Sequence, residues 1–392
     1  MLLFGLLFQA EGVTYDQLFE GGRAALTENR LREAQATLER AVKLKPASAE
    51  AWLALAETYR KLKQATPAHT AAVKAEALGK GDPAILRGLS TYYSDAGDLA
   101  RAADYEERYA AVVPADRDAF PRAIALRLQA RQAKLAIALA QKAVAVEDRA
   151  DLRYLLGKAY GADNQWSKAV AEFQRAIVLN PYEESSYFDL GQALLDRGDF
   201  AAAAQVLEGG RKVFDKSPQI ELALGAAYLG QKRFNEAGAS LLRTISLAPE
   251  AAQAYTLLGL LLDESKGLLP EITATLRTFA DAHPRQYLPQ FLYAKALLVQ
   301  GQNLAEAEDR LRRSIVLQGG FWESHYQLGL LLEKYRNFTG AIAELKKAST
   351  LAPKSPAPHQ QLARLYESTG KAAEAKLERA AAQRLAGNAA PK

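Results

Sequence analysis

The chain contains no cysteine, which excludes disulfides, thiolate metal sites, cysteine nucleophiles and a lipoprotein anchor. It has only four histidines, none in a helical zinc pair, and no phosphate-binding loop or serine-nucleophile motif. We therefore predict no catalytic residue, no metal site and no cofactor. Since no apolar run reaches about 20 residues, we also expect no transmembrane span.

A strong charge of either sign is also absent. The chain has 50 basic and 45 acidic residues, and the excess of basic residues lies after residue 196, interleaved with acids. A nucleic-acid binder shows a dense basic patch or stripe instead. The charge pattern therefore argues against nucleic acid as the main ligand.

The N-terminal segment, residues 1–13, is unusually apolar. Its residues 2–8, LLFGLLF, resemble the core of a secretory signal that ends near Ala10. However, no Lys or Arg precedes this run, and the segment is shorter than the usual 15–30 residues. A start codon placed too far downstream would explain both features, and the alternative is an apolar lead-in that packs on the first helix. We predict a periplasmic or secreted protein, with a cytoplasmic location as the alternative.

A repeating block fills most of the remaining sequence. Five prolines close successive blocks at separations of 68, 67, 68 and 104 residues, near multiples of 34: Pro46, Pro114, Pro181, Pro249 and Pro353. A period of 34 residues is typical of helix–turn–helix arrays. Such an array grows by adding blocks, so the length of the chain does not predict several globular domains.

The stretch 154–181, YLLGKAYGADNQWSKAVAEFQRAIVLNP, shows why the block has this pattern. Gly157 and Tyr160 share one face of a first helix, and Gly157 is small where another helix crosses closely. Ala169 and Ala176 are small on the second helix, with Phe173 between them. One pair cannot cover its own apolar face, so the pattern predicts a stack of pairs.

These residues resemble the tetratricopeptide repeat (TPR) family from about Thr14 to Leu385. The resemblance implies an all-α fold, a right-handed α–α superhelix of about eleven helix–turn–helix repeats. We assign the solenoid to residues 14–387 and a flexible tail to residues 388–392.

Local signals fit this fold. Thr14 and Gln17 form a predicted capping box, and capping side chains precede prolines at Asp82, Ser217 and Ser355. Glycines suited to a left-handed turn lie between helices at Gly97, Gly198, Gly301 and Gly370. His325 and His359 fall at the large-residue position of their blocks, which favours packing. Irregular geometry is predicted in the block 117–148, around Lys266–Pro270 and around Gln300–Leu304.

In the family that the chain resembles, the first helix of each pair lines a concave groove. Two positions per first helix should then face inward, the residue after the first large one and the residue four later. The candidate partner-binding residues are Phe19, Arg23, Arg87, Tyr154, Lys158, Phe188, Gln192, Phe291, Lys295 and Tyr326. Aromatic anchors beside single charges are typical of protein-binding surfaces, although each aromatic could instead pack against a neighbouring helix.

The resemblance predicts a non-catalytic protein-interaction scaffold, or adaptor, that binds a peptide or helix of an unidentified partner protein in this groove. One alternative is a component of a bacterial-type envelope, secretion or polysaccharide-export assembly. Another is an accessory arm of a separate glycosyltransferase. Nucleic-acid binding, a third alternative, predicts a steep dependence of affinity on salt.

Overall fold

The computed structural model describes residues 13–264 and 267–388 of the chain. Within these residues the chain forms 22 α-helices and no β-strand, so the all-α prediction and the count of about eleven helix pairs are confirmed. In this part of the chain, no helix combines the length and the apolar character needed to cross a membrane. The predicted signal-like run at residues 2–8 lies outside the described residues.

The chain divides into two compact units, the first ending at Ser186 and the second beginning at Tyr187. The helices of the first unit are α1 (Tyr15–Thr27), α2 (Leu31–Leu44), α3 (Ala49–Lys61), α4 (Ala65–Gly79), α5 (Pro83–Asp95), α6 (Leu99–Val112), α7 (Ala119–Gln129), α8 (Ala133–Val146), α9 (Ala150–Ala162) and α10 (Trp166–Leu179). Each odd-numbered helix packs against the even-numbered helix that follows it, and the even-numbered helix of each of the first four pairs also packs against the first helix of the next pair.

The second unit repeats this arrangement, and its first helix begins just before the boundary. Its helices are α11 (Glu184–Asp196), α12 (Phe200–Val213), α13 (Pro218–Gly230), α14 (Phe234–Leu247), α15 (Ala252–Leu261), α16 (Leu269–Ala282), α17 (Tyr287–Gln300), α18 (Leu304–Leu317), α19 (Trp322–Lys334), α20 (Phe338–Leu351), α21 (Pro356–Ser368) and α22 (Ala372–Asn388).

The pairing of α9 with α10 shows how the recurring small residues position the helices. A Cβ atom added to Gly157 would lie 2.7 Å from the ring of Phe173, so only glycine fits there without a shift. Ala169 and Ala176 are fully buried on either side of that ring. In four other pairs a Cβ atom added to the glycine would lie 2.5–2.7 Å from a leucine side chain of the second helix: Gly22 and Leu38, Gly191 and Leu207, Gly225 and Leu241, Gly329 and Leu345. The packing role predicted for the small residues is therefore confirmed.

The predicted caps are present at three of four helix starts. Thr14 and Gln17 form the full capping box, Asp82 accepts from two backbone N–H groups, and Ser217 accepts from the N–H of Ile220. The prediction for Ser355 is wrong, because its side chain makes no cap hydrogen bond. The third residue of α21, which would donate it, is Pro358 and has no N–H.

Left-handed residues end the first helices of the pairs. The four predicted glycines have positive φ, from 69° to 82°. The same conformation occurs without glycine at related positions, which sequence reasoning missed: Asn29, Lys63, Arg131, Asn164, Lys232 and Arg336. Repeat position, rather than residue type, therefore sets this turn.

Two predicted irregularities appear as short helices. Helix α7 has 11 residues and includes Pro121, and α15 has 10 residues. Arg127, at the position that Tyr160 holds in the block 154–181, is buried and donates to Asp104 (2.7 Å) and Glu107 (3.0 Å) of α6. An ion-pair cluster thus replaces aromatic packing in this block.

Candidate functional site

An open cavity of about 430 Å³ lies in the first unit, against the inner faces of α1, α3 and α5. We call it the α1–α3–α5 cavity. Most of its exposed lining is apolar. Its lining residues are Phe19, Arg23, Leu26, Glu50, Leu53, Ala54, Glu57, Ala84, Ile85, Gly88, Thr91 and Tyr92.

The 34-residue period places these side chains together. Phe19 of α1 and Leu53 of α3 occupy the same position in consecutive blocks, so both project from the inner face of a first helix. A Cβ atom on Gly88 of α5 would lie 2.3 Å from Leu53 Cδ2, so α3 and α5 approach closely beneath the cavity. The floor is therefore built by packing and is already formed without a ligand.

Charged side chains stand around this apolar floor. The Arg23 guanidinium is 3.7 Å from Glu20 and 5.5 Å from the centre of the Phe19 ring. Arg60 holds the Glu57 carboxylate at 2.6 Å, and this hydrogen bond raises the pKa of Arg60. Glu50 is exposed and has no cationic partner within 4.0 Å among the described residues. The cavity thus has an apolar centre and a polar rim.

A second cavity of about 390 Å³ continues from Thr91 toward α7, but its character is polar. Arg87 contacts Asp116 at 3.2 Å, and Arg122 contacts Asp116 at 2.8 Å and Glu106 at 2.7 Å. The hydrogen bond from Arg122 is the main cause that lowers the pKa of Asp116 to about 2. Arg87, a predicted binding residue, is therefore engaged in an ion-pair network while about half of its side chain stays exposed.

Of the five predicted residues in the first unit, two line the α1–α3–α5 cavity, and Arg87, Tyr154 and Lys158 lie elsewhere. Phe19 is only 8% exposed and stacks on Tyr15, so it supports the cavity more than it projects into it. Arg23 is exposed at the rim. Tyr154 borders a separate hollow of about 290 Å³ beside α9, and the Lys158 ammonium lies 5.9 Å from the centre of its ring. The structure does not bring Tyr154 to the α1–α3–α5 cavity.

In the second unit, the predicted residues on α11 differ in exposure. Phe188 is half-buried, whereas Gln192 is exposed and donates to Asp196 (2.8 Å) in its own helix. Both lie on the first helix of a pair, as predicted, but neither lines the two cavities described above or the hollow beside α9.

The predicted residues on α17 and α19 take part in packing. Phe291 is 8% exposed and meets Phe321 edge-on at 5.0 Å. The Lys295 ammonium donates to the Gly259 carbonyl at 3.0 Å. Tyr326 is half-buried, and burial raises the pKa of its phenol. Phe291 thus packs against a residue of the next helix pair, and its role in partner binding stays a prediction.

Sequence reasoning missed several residues that line the cavity. Ala54, Gly88 and Tyr92 each follow directly after a position that the inward-facing rule selects. The rule used two positions per helix, whereas the groove face is wide enough to include the next position as well. Including the residue directly after each selected position would have found all three.

The histidines do not assemble a reactive site. His325 is buried, with its ring nitrogens within hydrogen-bond distance of Glu344 (2.6 Å) and the Gly319 carbonyl (3.1 Å). His359 pairs with Glu378 in the same way. Both predicted packing roles are confirmed. Across residues 13–264 and 267–388, no three His, Asp or Glu side chains are grouped so that they could hold a metal ion.

Stacked helix pairs with a lined inner face define a helical-repeat protein. Comparison with known families identifies the repeat: residues 19–83 and 154–219 match one tetratricopeptide repeat family, and residues 194–261 match another. The chain therefore contains tetratricopeptide repeats. No curated protein matches the chain.

Several solved structures are similar at low identity. The Naa15/Naa10 complex bound to HypK-THB is 16% identical over 95% of this chain, which spans 63% of the matched chain's length, with a TM-score of 0.42. Yeast Tom70 is 15% identical over 95% of this chain and 92% of its own, with a TM-score of 0.40. The APC/C assembly Cut9–Hcn1 is 11% identical over 96% and 94%, with a TM-score of 0.42. At these values the likenesses carry no argument about function.

Proposed function

We propose that the chain is a non-catalytic scaffold that binds a peptide or helix of a partner protein in the α1–α3–α5 cavity. The observation that carries this proposal is the cavity itself, an open, mainly apolar concavity of about 430 Å³ formed by three consecutive first helices. A site for an extended segment or an amphipathic helix needs such pockets for its apolar side chains.

The composition of the lining supports protein binding over catalysis. An apolar core with a charged rim is the usual anatomy of a protein-interaction surface. No histidine lines the cavity, and the Glu57 carboxylate, which could act as a base, is already held by Arg60 at 2.6 Å. Thr91 carries the one aliphatic hydroxyl in the lining, and neither a histidine nor a free Glu57 carboxylate is there to act as its base.

Only the sequence supports the proposed location and pathway. We propose export to the periplasm or the exterior from the apolar residues 2–8, and a cytoplasmic location remains the alternative. Roles in an envelope assembly or as the arm of a glycosyltransferase likewise stay predictions. The chain would be expressed in a host that has a secretion pathway, and the mass of the intact protein would be measured. A mass that shows cleavage of the N-terminal segment would support export.

A position-dependent crosslinking experiment tests the binding site. The photoreactive residue p-benzoylphenylalanine would replace Thr91, which is exposed and lines the cavity, or Val112, which is exposed at the end of α6 and lies outside it. We expect a discrete crosslinked product from position 91 and none from position 112. Equal yields from both positions would contradict a site in the cavity.

A further inference from the structure

We infer that the α1–α3–α5 cavity selects a partner segment that carries a bulky apolar side chain beside a lysine or arginine. This inference rests on the proposed function and specifies the chemistry of the partner. It comes from the apolar floor of the cavity and from the charges at its rim.

The floor requires an apolar group. Leu53 and Ala54 of α3 and Ile85 of α5 form part of the lining, and most of the exposed lining is apolar. A polar side chain placed there would lose its water without gaining a hydrogen bond, which is unfavourable. An aliphatic or aromatic side chain gains from the same burial. This part of the site therefore selects for size and apolar character.

The rim carries a net negative charge. Three ionisable side chains of Asp, Glu, Lys, Arg or His type line the cavity, namely Arg23, Glu50 and Glu57, which sum to one negative charge at neutral pH. Arg23 already faces Glu20, and Glu57 is held by Arg60, so these two are compensated locally. Glu50 is the carboxylate left without a cationic partner among the described residues.

A second acid occupies the equivalent position on α1, although it does not line the cavity. Asp16 occupies in α1 the position that Glu50 occupies in α3, and it is also exposed without an ion pair in the described part of the chain. Both acids lie in the first turn of a helix, where they also interact favourably with the helix dipole. The helix dipole accounts for an acid in the first turn, but it does not neutralise the carboxylate, which can still interact with a ligand. A basic side chain next to the apolar anchor complements the negative rim, whereas an acidic one is repelled.

Selection from a random dodecapeptide phage library against the immobilised full-length chain tests the inference. We expect enriched sequences to combine a Leu, Ile, Phe or Trp with a nearby Lys or Arg. Against a Glu50→Lys variant, the basic residue should no longer be enriched. Against a Glu374→Lys variant, the enrichment should persist, because Glu374 is likewise an exposed acid in the first turn of a helix, α22, but does not line the cavity.

Binding of one enriched peptide, followed by fluorescence anisotropy, gives the magnitude. An exposed ion pair corresponds to about a twofold to fivefold change in affinity, so Glu50→Gln should weaken binding by about that factor, and added salt should remove the difference. Thr91→Trp, which fills the cavity from an exposed position, should abolish binding. Circular dichroism of each variant shows whether it is folded.

The outcomes separate the inference from the proposed function. Enriched apolar peptides that bind in the cavity without a basic preference overturn the inference and leave the proposed function standing. No enrichment, or binding that Thr91→Trp leaves unchanged, overturns both. If the unliganded chain is a dimer in sedimentation and Thr91→Trp makes it a monomer, the occupant is a second copy, and the inference is likewise overturned.

Discussion

The close crossing of α9 and α10 makes a sharp prediction about Gly157→Ala. Alanine favours a helix interior over glycine by about 1 kcal/mol. Against this, the new Cβ would lie 2.7 Å from the Phe173 ring, which is buried and cannot move freely. Overpacking of this kind costs about 1–3 kcal/mol. We therefore expect Gly157→Ala to leave stability unchanged or to lower it by up to about 2 kcal/mol.

Gly161→Ala in the same helix is the matched control. Its Cβ would lie 3.5 Å from the nearest atom, in the Trp166 ring, which is an ordinary contact. This variant should gain up to about 1 kcal/mol. The assay is urea denaturation followed by tryptophan fluorescence, with hydrogen exchange of α9 and α10 to detect local unfolding. Equal stabilisation of both variants would show that the close approach does not constrain position 157. The same conclusion would follow if Gly157→Ala, introduced into a Phe173→Ala background, failed to stabilise the chain.

Two further predictions concern a carboxylate and a pair of helix caps. Arg122 lowers the pKa of Asp116 to about 2, below the ordinary value. The ionised Asp116 should therefore contribute its full stabilisation of the folded chain above about pH 4, and this contribution should be lost as the pH falls toward 2. Asp116→Asn should remove that part of the pH dependence in urea midpoints measured from pH 6 to pH 2, and identical profiles would refute it. Ser217→Ala should cost about 1 kcal/mol, whereas Ser355→Ala should cost little because Ser355 makes no cap bond. Equal losses on thermal unfolding would show that the caps do not differ.

The pairing of helices could be predicted because packing leaves a periodic trace in residue size. Gly157, Ala169 and Phe173 are each determined by what the neighbouring helix leaves room for. The left-handed turns were only partly predictable. Gly97 shows the conformation by its type, but Lys63, one period earlier, adopts it at a cost of about 1–2 kcal/mol that its identity does not reveal. Tertiary context overrides local preference there.

The candidate site was less predictable than the fold. The inward-facing rule found Phe19 and Arg23, which line the cavity, because helical periodicity fixes the direction of a side chain. It could not show that Phe291 is covered, since that depends on Phe321 from the next pair. It also could not show that Arg87 is paired with Asp116, which lies in a connection between helices. These two contacts between blocks leave no periodic signal in the sequence.

One inward-facing position shows how an array with constant packing acquires specificity. At intervals of one period it holds Phe19, Leu53, Arg87 and Pro121. The first two belong to the apolar cavity, and Arg87 belongs to the polar cavity beside α7. The residue type at this position therefore changes from block to block, although a first helix is formed in each of the four blocks. A ligand segment that crosses α5 would therefore meet apolar surface on one side and an ion-pair network on the other, and that order would fix the direction in which it binds.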